Sequence, residues 1–449
     1  MATKTPSPLQ RLSALGQSVW VDFLSRESIL GGHLQQLIDE RAVVGATSNP
    51  TIFQKAMTQG DAYDDQLREL NPAAAQDPAA AVKAAFWEMA GQDIRSACDL
   101  FASIWDGGSG RDGYVSLEVD PGLAYDSLRT YREAARLHRV VDRPNLMVKI
   151  PATKPGLAAI EDAIAHGISI NVTLIFSLER YREVVESYIR GIERLVAEGG
   201  DPTHVASVAS FFVSRIDVET DRRLDEVGGH EHLKGRLAIA NARLAYQHYK
   251  QAFSGPRWEY LTGKHATPQR VLFASTSTKN PDYLDLVYVE QLIGPDTVDT
   301  MPEETIEQYH DHGQPRPRLE HDLPAARAVF GQLALPVSTT TTSPKRSNAK
   351  ASKSSLTRST SSSQRSTPKR VPSQIRDIEW GRPRRSDLRT FKGLQGRWRT
   401  SSPENPDGDG RLTRLAAASP TAGSQGLLGA GEHYPRRRGT GFGCRRLSG

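Results

Sequence analysis

"NLMVKIPATKPG", Asn145 to Gly156, sets a charged side chain inside an apolar run. Leu146, Met147, Val148, Ile150 and Ala152 read as a buried strand, and Lys149 stands among them. Lysine is rarely buried without a partner or a chemical task. Outward from this run, short β-branched stretches alternate with longer helical patterns. The strand candidates are "SVWVDFL" (18–24), "AVVGATSN" (42–49), "YVSLEVD" (114–120), "NLMVKIPA" (145–152), "GISINVTLIF" (167–176), "VASVASFFVS" (205–214), "RVLFASTST" (270–278) and "DTVDTMP" (296–302). Helical stretches such as "PAAAVKAAFWEMAGQDIRSACDLF" and "GRLAIANARLAYQHYKQAF" fill the gaps. This alternation predicts βαβ units and a parallel sheet. Eight units in about 300 residues fit an α/β fold of the (β/α)8 TIM-barrel type. A doubly wound open sheet is the alternative, but no G-x-G-x-x-G turn follows the first strand.

Near Pro336 the composition changes. Of the 57 Lys+Arg and 52 Asp+Glu in 449 residues, residues 337–449 hold 23 basic and 7 acidic side chains. An acidic body therefore carries a strongly basic tail, and the overall pI of about 9.1 describes neither. The expected organisation is a barrel domain over 1–336 followed by a low-complexity, disordered basic tail over 337–449. Two cysteines, Cys98 and Cys444, exclude a disulfide framework and a Cys-rich zinc site. The N-terminus has no sustained apolar core of the kind a signal peptide needs, and no run approaches membrane-spanning length. A soluble, cytoplasmic protein is expected.

In a TIM barrel the chemistry sits at the C-terminal ends of the strands. Those ends offer an unusual polar set: Asp22, Thr47 and Asn49, Glu118, Lys149, Asn171 and Thr173, then Ser210 and Arg215. One lysine, two carboxylates, two amides and an arginine, with no metal-ligand cluster, point to Schiff-base carbon–carbon chemistry. An amine must be neutral to attack a carbonyl, and burial disfavours the ammonium form. Nearby carboxylates oppose that effect but are needed to move protons.

Seven stretches, "SVWVDFLSR", "GATSNPTIFQKAM", "SLEVDPGLAYD", "NLMVKIPAT", "GISINVTLIFS", "ASFFVSRID" and "STSTKNP", together resemble the transaldolases, in the longer actinobacterial form. The resemblance covers roughly residues 10–330 and implies a TIM barrel and a metal-free class I enzyme that needs no cofactor. Such an enzyme moves a dihydroxyacetone unit from a ketose phosphate to an aldose phosphate. By that resemblance Lys149 is the Schiff-base lysine and Asp22 the acid/base at the bond that breaks. Glu118 activates a catalytic water that Thr173 holds. Thr47 belongs to the substrate-binding set, and Asn49 and Asn171 bind substrate hydroxyls and the enamine. Ser210 and Arg215 grip phosphate, a guanidinium doing so in bidentate fashion. The short transaldolases use an arginine for a further phosphate contact near strand seven. Here Lys279 stands in "STSTKNP" and offers a point charge instead. The partners implied are sugar phosphates, with no metal and no membrane, in a monomer or homodimer.

Plainer readings compete at each position. A strand-end lysine often reaches solvent, and Asp22 or Glu118 could be ion-pair partners. Asn49 in "TSNPT" is a good helix cap. The histidines of "GHEH" and "HDH" are spaced i,i+2, which does not put both on one helix face. Two rival functions remain: a Schiff-base aldolase that releases free dihydroxyacetone, and nucleic-acid binding through the tail. The tail has a further explanation. Read one base earlier, its codons place apolar residues at Ser343, Ser347, Ser352, Ser355, Ser359 and Ser362, close to the helical period. That frame resembles the terminal helix of transaldolases, so a one-base frameshift near Leu333–Val337 is the expectation.

Overall fold

The computed structural model describes residues 5–334 apart from 59, 73 and 74. The expected basic tail over 337–449, its disorder and its reading-frame origin lie outside the described residues.

Eight parallel strands close into one barrel in chain order. They are β1 (Gln17–Val21), β2 (Val43–Thr47), β3 (Val115–Glu118), β4 (Leu146–Pro151), β5 (Ile170–Ile175), β6 (Ser207–Phe212), β7 (Arg270–Ala274) and β8 (Thr297–Met301). All eight fall within the stretches expected from sequence, except that β1 begins one residue earlier. The ring closes where Gln17–Val21 pairs residue by residue with Thr297–Met301.

Helix α1 (Pro8–Ala14) precedes the barrel. The first crossover holds α2 (Arg26–Leu30) and α3 (His33–Arg41). The second holds α4 (Pro50–Thr58), α5 (Asp64–Leu70) and the long α6 (Pro78–Gly107). Single helices α7 (Ser127–Val141), α8 (Lys154–Ala165) and α9 (Leu178–Ala197) fill the next three. The sixth holds α10 (Ser214–Val227), α11 (Leu237–Ala252) and α12 (Pro256–Thr262), and the seventh the short α13 (Val287–Gln291). After β8 come α14 (Glu303–His312) and α15 (Leu323–Ala334), whose Ala326 and Val329 pack on Ala240 of α11.

The stretch Asn145–Gly156 shows how sequence sets this pattern. The Asn145 amide donates to the carbonyls of Cys98 and Gly113, both at 2.8 Å, and so pins the start of β4 to α6 and β3. Successive side chains then point to opposite faces. Leu146, Val148 and Ile150 join the outer core beneath the helices, while Met147 joins the core inside the ring. Pro151 ends the strand, and Thr153 caps α8 by accepting from the Gly156 N–H at 3.0 Å. Only glycine fits at 156, because a Cβ there would lie 2.2 Å from the Pro151 carbonyl oxygen. Ser177 caps α9 in the same way, and the apolar face of α9 (Tyr181, Val184, Tyr188, Ile192, Leu195) follows the helical period.

The lower barrel is a packed core and not a pore. Trp20, Tyr114, Met147, Val208, Leu272 and Val298 fill it. Trp20 lies against Gly45, where a Cβ would meet the indole at 2.6 Å. Arg270 closes the N-terminal mouth, donating to Ser18 Oγ at 2.9 Å and to Asp112 Oδ1 at 2.8 Å. The inward positions left for polar side chains are those at the opposite, C-terminal mouth. Among the described residues no helix is long and apolar enough to cross a membrane.

Candidate active site

Above the apolar layers, inward side chains become polar. Period-two alternation puts Glu118 two residues after Ser116, Lys149 two after Met147, and Thr173 two after Asn171. Strand register then aligns three of them sideways: Glu118 pairs with Lys149, and Lys149 with Asn171. A carboxylate, an amine and an amide thus lie in one row across β3, β4 and β5.

Lys149 is 7% exposed. Its Nζ lies 3.6 Å from Glu118 Oε2 and donates to the Ser48 carbonyl at 3.3 Å. Burial raises the Glu118 carboxyl above its ordinary pKa; Lys149 opposes the rise, the charge of Asp22 adds to it, and Arg215 opposes it. Those couplings place Lys149, Asp22 and Arg215 within electrostatic reach of one carboxylate.

Asp22 follows directly on β1, and its backbone N–H donates to Met301 O at 2.8 Å. Its Oδ1 accepts from Thr47 Oγ1 at 2.7 Å, and Thr47 Oγ1 is also 2.7 Å from Thr300 Oγ1. The Thr47–Thr300 pair on β2 and β8 therefore orients the carboxylate. On the other side of Lys149, the buried Asn171 accepts from Ser210 Oγ at 2.7 Å and donates to Ser116 Oγ at 3.0 Å. Thr173 Oγ1 is buried and makes no hydrogen bond among the described residues. Asn49 caps its helix: its Oδ1 accepts from Ile52 N at 3.1 Å, which engages only the oxygen of the amide.

Arg215 and Lys279 are exposed, unlike the buried Lys149 and Asn171. The Arg215 guanidinium stacks 5.0 Å above the Phe212 ring. Lys279 Nζ donates to Ser277 Oγ at 2.7 Å. The start of α10, which carries Arg215, touches the loop that carries Lys279, since Ser214 N donates to Ser275 O at 3.0 Å and their two hydroxyls are 3.0 Å apart. A bulge interrupts the β5–β6 register just beyond Thr173, with Leu174 at φ +62.

Three groups in this arrangement were not read from the sequence. Thr300, two residues after the inward Val298, and Ser116, two before Glu118, lie on inward faces and could have been found from that alternation. The Ser48 carbonyl is a backbone group, and residue types carry no signal for it.

The family model described as "Transaldolase/Fructose-6-phosphate aldolase" matches residues 19–348. A transaldolase of Frankia alni (strain DSM 45986 / CECT 9034 / ACN14a) is 50% identical over 331 residues, 73% of this chain and 88% of its own length. A transaldolase of Parafrankia sp. (strain EAN1pec) is 52% identical over 329 residues, with the same coverage. A third, from Saccharopolyspora erythraea, is 52% identical over 312 residues, covering 70% of this chain and 83% of the relative.

Proposed function

The chain belongs to the transaldolase/fructose-6-phosphate aldolase family, and from that premise we propose that its barrel mouth moves a dihydroxyacetone unit from a ketose phosphate to an aldose phosphate through a Schiff base on Lys149. The observation that carries this reading is a buried lysine at the catalytic mouth, in register with a carboxylate on one side and an amide on the other.

The steps follow from what each group can do. Neutral Lys149 adds to the ketose carbonyl, and the carbinolamine loses water to give an iminium ion. Glu118, 3.6 Å from the amine, moves the protons of that step through a water that the open hydroxyl of Thr173 can hold. Asp22, aimed by Thr47, takes the proton of the hydroxyl beyond the bond to be cut. The carbon–carbon bond breaks, its electron pair runs into the iminium, and an aldose leaves. The resulting enamine is held by Asn171 and by the free side of the Asn49 amide. An acceptor aldose reverses the sequence, and hydrolysis frees Lys149. Arg215, Lys279 and Ser210 bind phosphate and hydroxyl groups, so sugar phosphates are the substrates.

The test is borohydride reduction with fructose 6-phosphate, followed by peptide mass spectrometry. A reduced three-carbon adduct on the Lys149 peptide is expected. A folded protein with no adduct there would overturn the reading. The description of the family model spans aldolase activity as well. Product analysis with and without an acceptor aldose separates transfer from release of free dihydroxyacetone.

A further inference from the structure

Arg215 begins α10, and Lys279 lies on the loop between β7 and α13. Nothing in the local sequence of either fixes their separation. Two buried carboxylates one helical turn apart on α10 do join them. Asp221 accepts from Tyr283 Oη at 2.6 Å through one oxygen and from the Gly235 N–H at 3.0 Å through the other. Asp217 accepts from Tyr288 Oη at 3.0 Å and from the Ala238 N–H at 2.8 Å. Neither carboxylate has a Lys or Arg partner among the described residues. Both oxygens of each accept a bond, from Tyr283 on the Lys279 loop, from Tyr288 on α13, and from two backbone N–H groups at or just before the start of α11. The ring of Tyr283 also lies on Gly235, where a Cβ would approach it to 2.9 Å and where φ is +68.

Tyr283 is four residues from Lys279. The segment between is folded on itself, with Thr278 Oγ1 donating to the carbonyls of Leu284 and Asp285 at 3.0 and 2.8 Å. It is fastened at its other end by the Ser214–Ser275 contacts. A loop held at both ends to the same helix has little freedom to change the distance between its lysine and that helix's arginine. Hydroxyl-to-carboxylate bonds are charge-assisted and stronger than neutral ones.

We propose that the Tyr283–Asp221 hydrogen bond is a positioning device that sets the separation of Arg215 and Lys279, and with it the preference of this site for substrates bearing a terminal phosphate. The inference rests on reading Arg215 and Lys279 as phosphate ligands. Tyr283 touches no substrate; it acts through Lys279.

The experiment measures the half-saturating concentrations of fructose 6-phosphate and of unphosphorylated fructose for borohydride trapping at Lys149. Tyr283→Phe removes one hydroxyl. It is expected to raise the value for fructose 6-phosphate about tenfold, the lower end of what one hydrogen bond to a charged group is worth. The value for fructose and the maximal adduct yield should stay unchanged. Asp221→Asn, which removes the charged acceptor, carries the same expectation and replaces Tyr283→Phe if that variant does not fold. A double variant no worse than either single one would show that the two act as a pair. An equal shift for both sugars, or for neither, overturns the proposal. Lys279→Met separates the two ways of failing. If it alters the ratio between the sugars while Tyr283→Phe does not, the clamp is wrong and the phosphate reading stands. If it too leaves the ratio unaltered, both fall.

Discussion

Glu118 holds its carboxylate 3.6 Å from the amine of Lys149, on the neighbouring strand and in direct register with it. Burial pushes this carboxyl above 4.5, the ordinary value for a glutamate, in spite of the lysine beside it. As a base, Glu118 works only when ionised. Activity should therefore rise with pH along an acid limb lying above pH 4.5, as the raised carboxyl loses its proton. Glu118→Gln should abolish that limb and lower kcat/KM by about 10²–10⁴-fold, the usual worth of a general base. A pH profile of kcat/KM for both proteins decides this; an unchanged limb in the variant assigns it elsewhere.

Asp22 is assigned to bond cleavage and not to imine formation, and the two steps can be separated by mass. With Asp22→Asn, borohydride and fructose 6-phosphate should trap the uncleaved six-carbon phosphate on the Lys149 peptide instead of the three-carbon fragment. Thr47→Val removes the 2.7 Å bond that aims Asp22. It should slow turnover by about tenfold, equivalent to one hydrogen bond to a charged group, while still yielding the three-carbon adduct. A three-carbon adduct at full yield from Asp22→Asn would remove Asp22 from the cleavage step.

Asp299 tests the electrostatics of the scaffold. It is fully buried, accepts one bond from Thr276 Oγ1 at 2.7 Å, and its second oxygen has no hydrogen-bond partner among the described residues. Burial raises its pKa from 3.8 to about 7. The folded chain therefore binds this proton more tightly than the unfolded chain does, and the contribution to stability is present below pH 4. It is lost as pH rises from about 4 to 7. Asp299→Asn should remove that loss, about 4 kcal/mol in full. Urea unfolding at pH 5 and pH 8 gives the comparison; parallel losses in both proteins would show that another group is responsible.

The lower barrel makes a packing prediction. Gly45→Ala drives a methyl group into the Trp20 indole and should cost about 1–3 kcal/mol of stability. Trp20→Phe in the same chain should recover part of that. A Gly45→Ala variant with an unchanged melting temperature would mean that the indole can move aside.

The strands were legible because a strand buried on both faces must be rich in apolar and β-branched residues, and eight such runs with helices between them admit few arrangements. Lys149, Glu118 and Asn171 were legible as exceptions to that rule, each a polar residue where burial excludes one. What joins them was not. Whether Glu118 lies beside Lys149 or one step off depends on interstrand register, which is a property of the closed ring and not of either segment. The Asp22–Thr47–Thr300 contacts unite the first, second and eighth strands, and only closure brings the eighth next to the first. Asp217 and Asp221 carry no such signal, since both stand on a helix rich in charged residues. The tyrosines that cover them, Tyr283 and Tyr288, lie 62 and 71 residues away in the chain.

Closure of the ring also bears on what a C-terminal extension can do to this protein. Every strand has a neighbour on both sides, β1 included, through its pairing with β8. Among the described residues the sheet therefore has no open edge, and the barrel offers no free strand to template edge-to-edge association. A tag or fusion partner joined to either chain terminus therefore leaves the strand pairing of the barrel untouched.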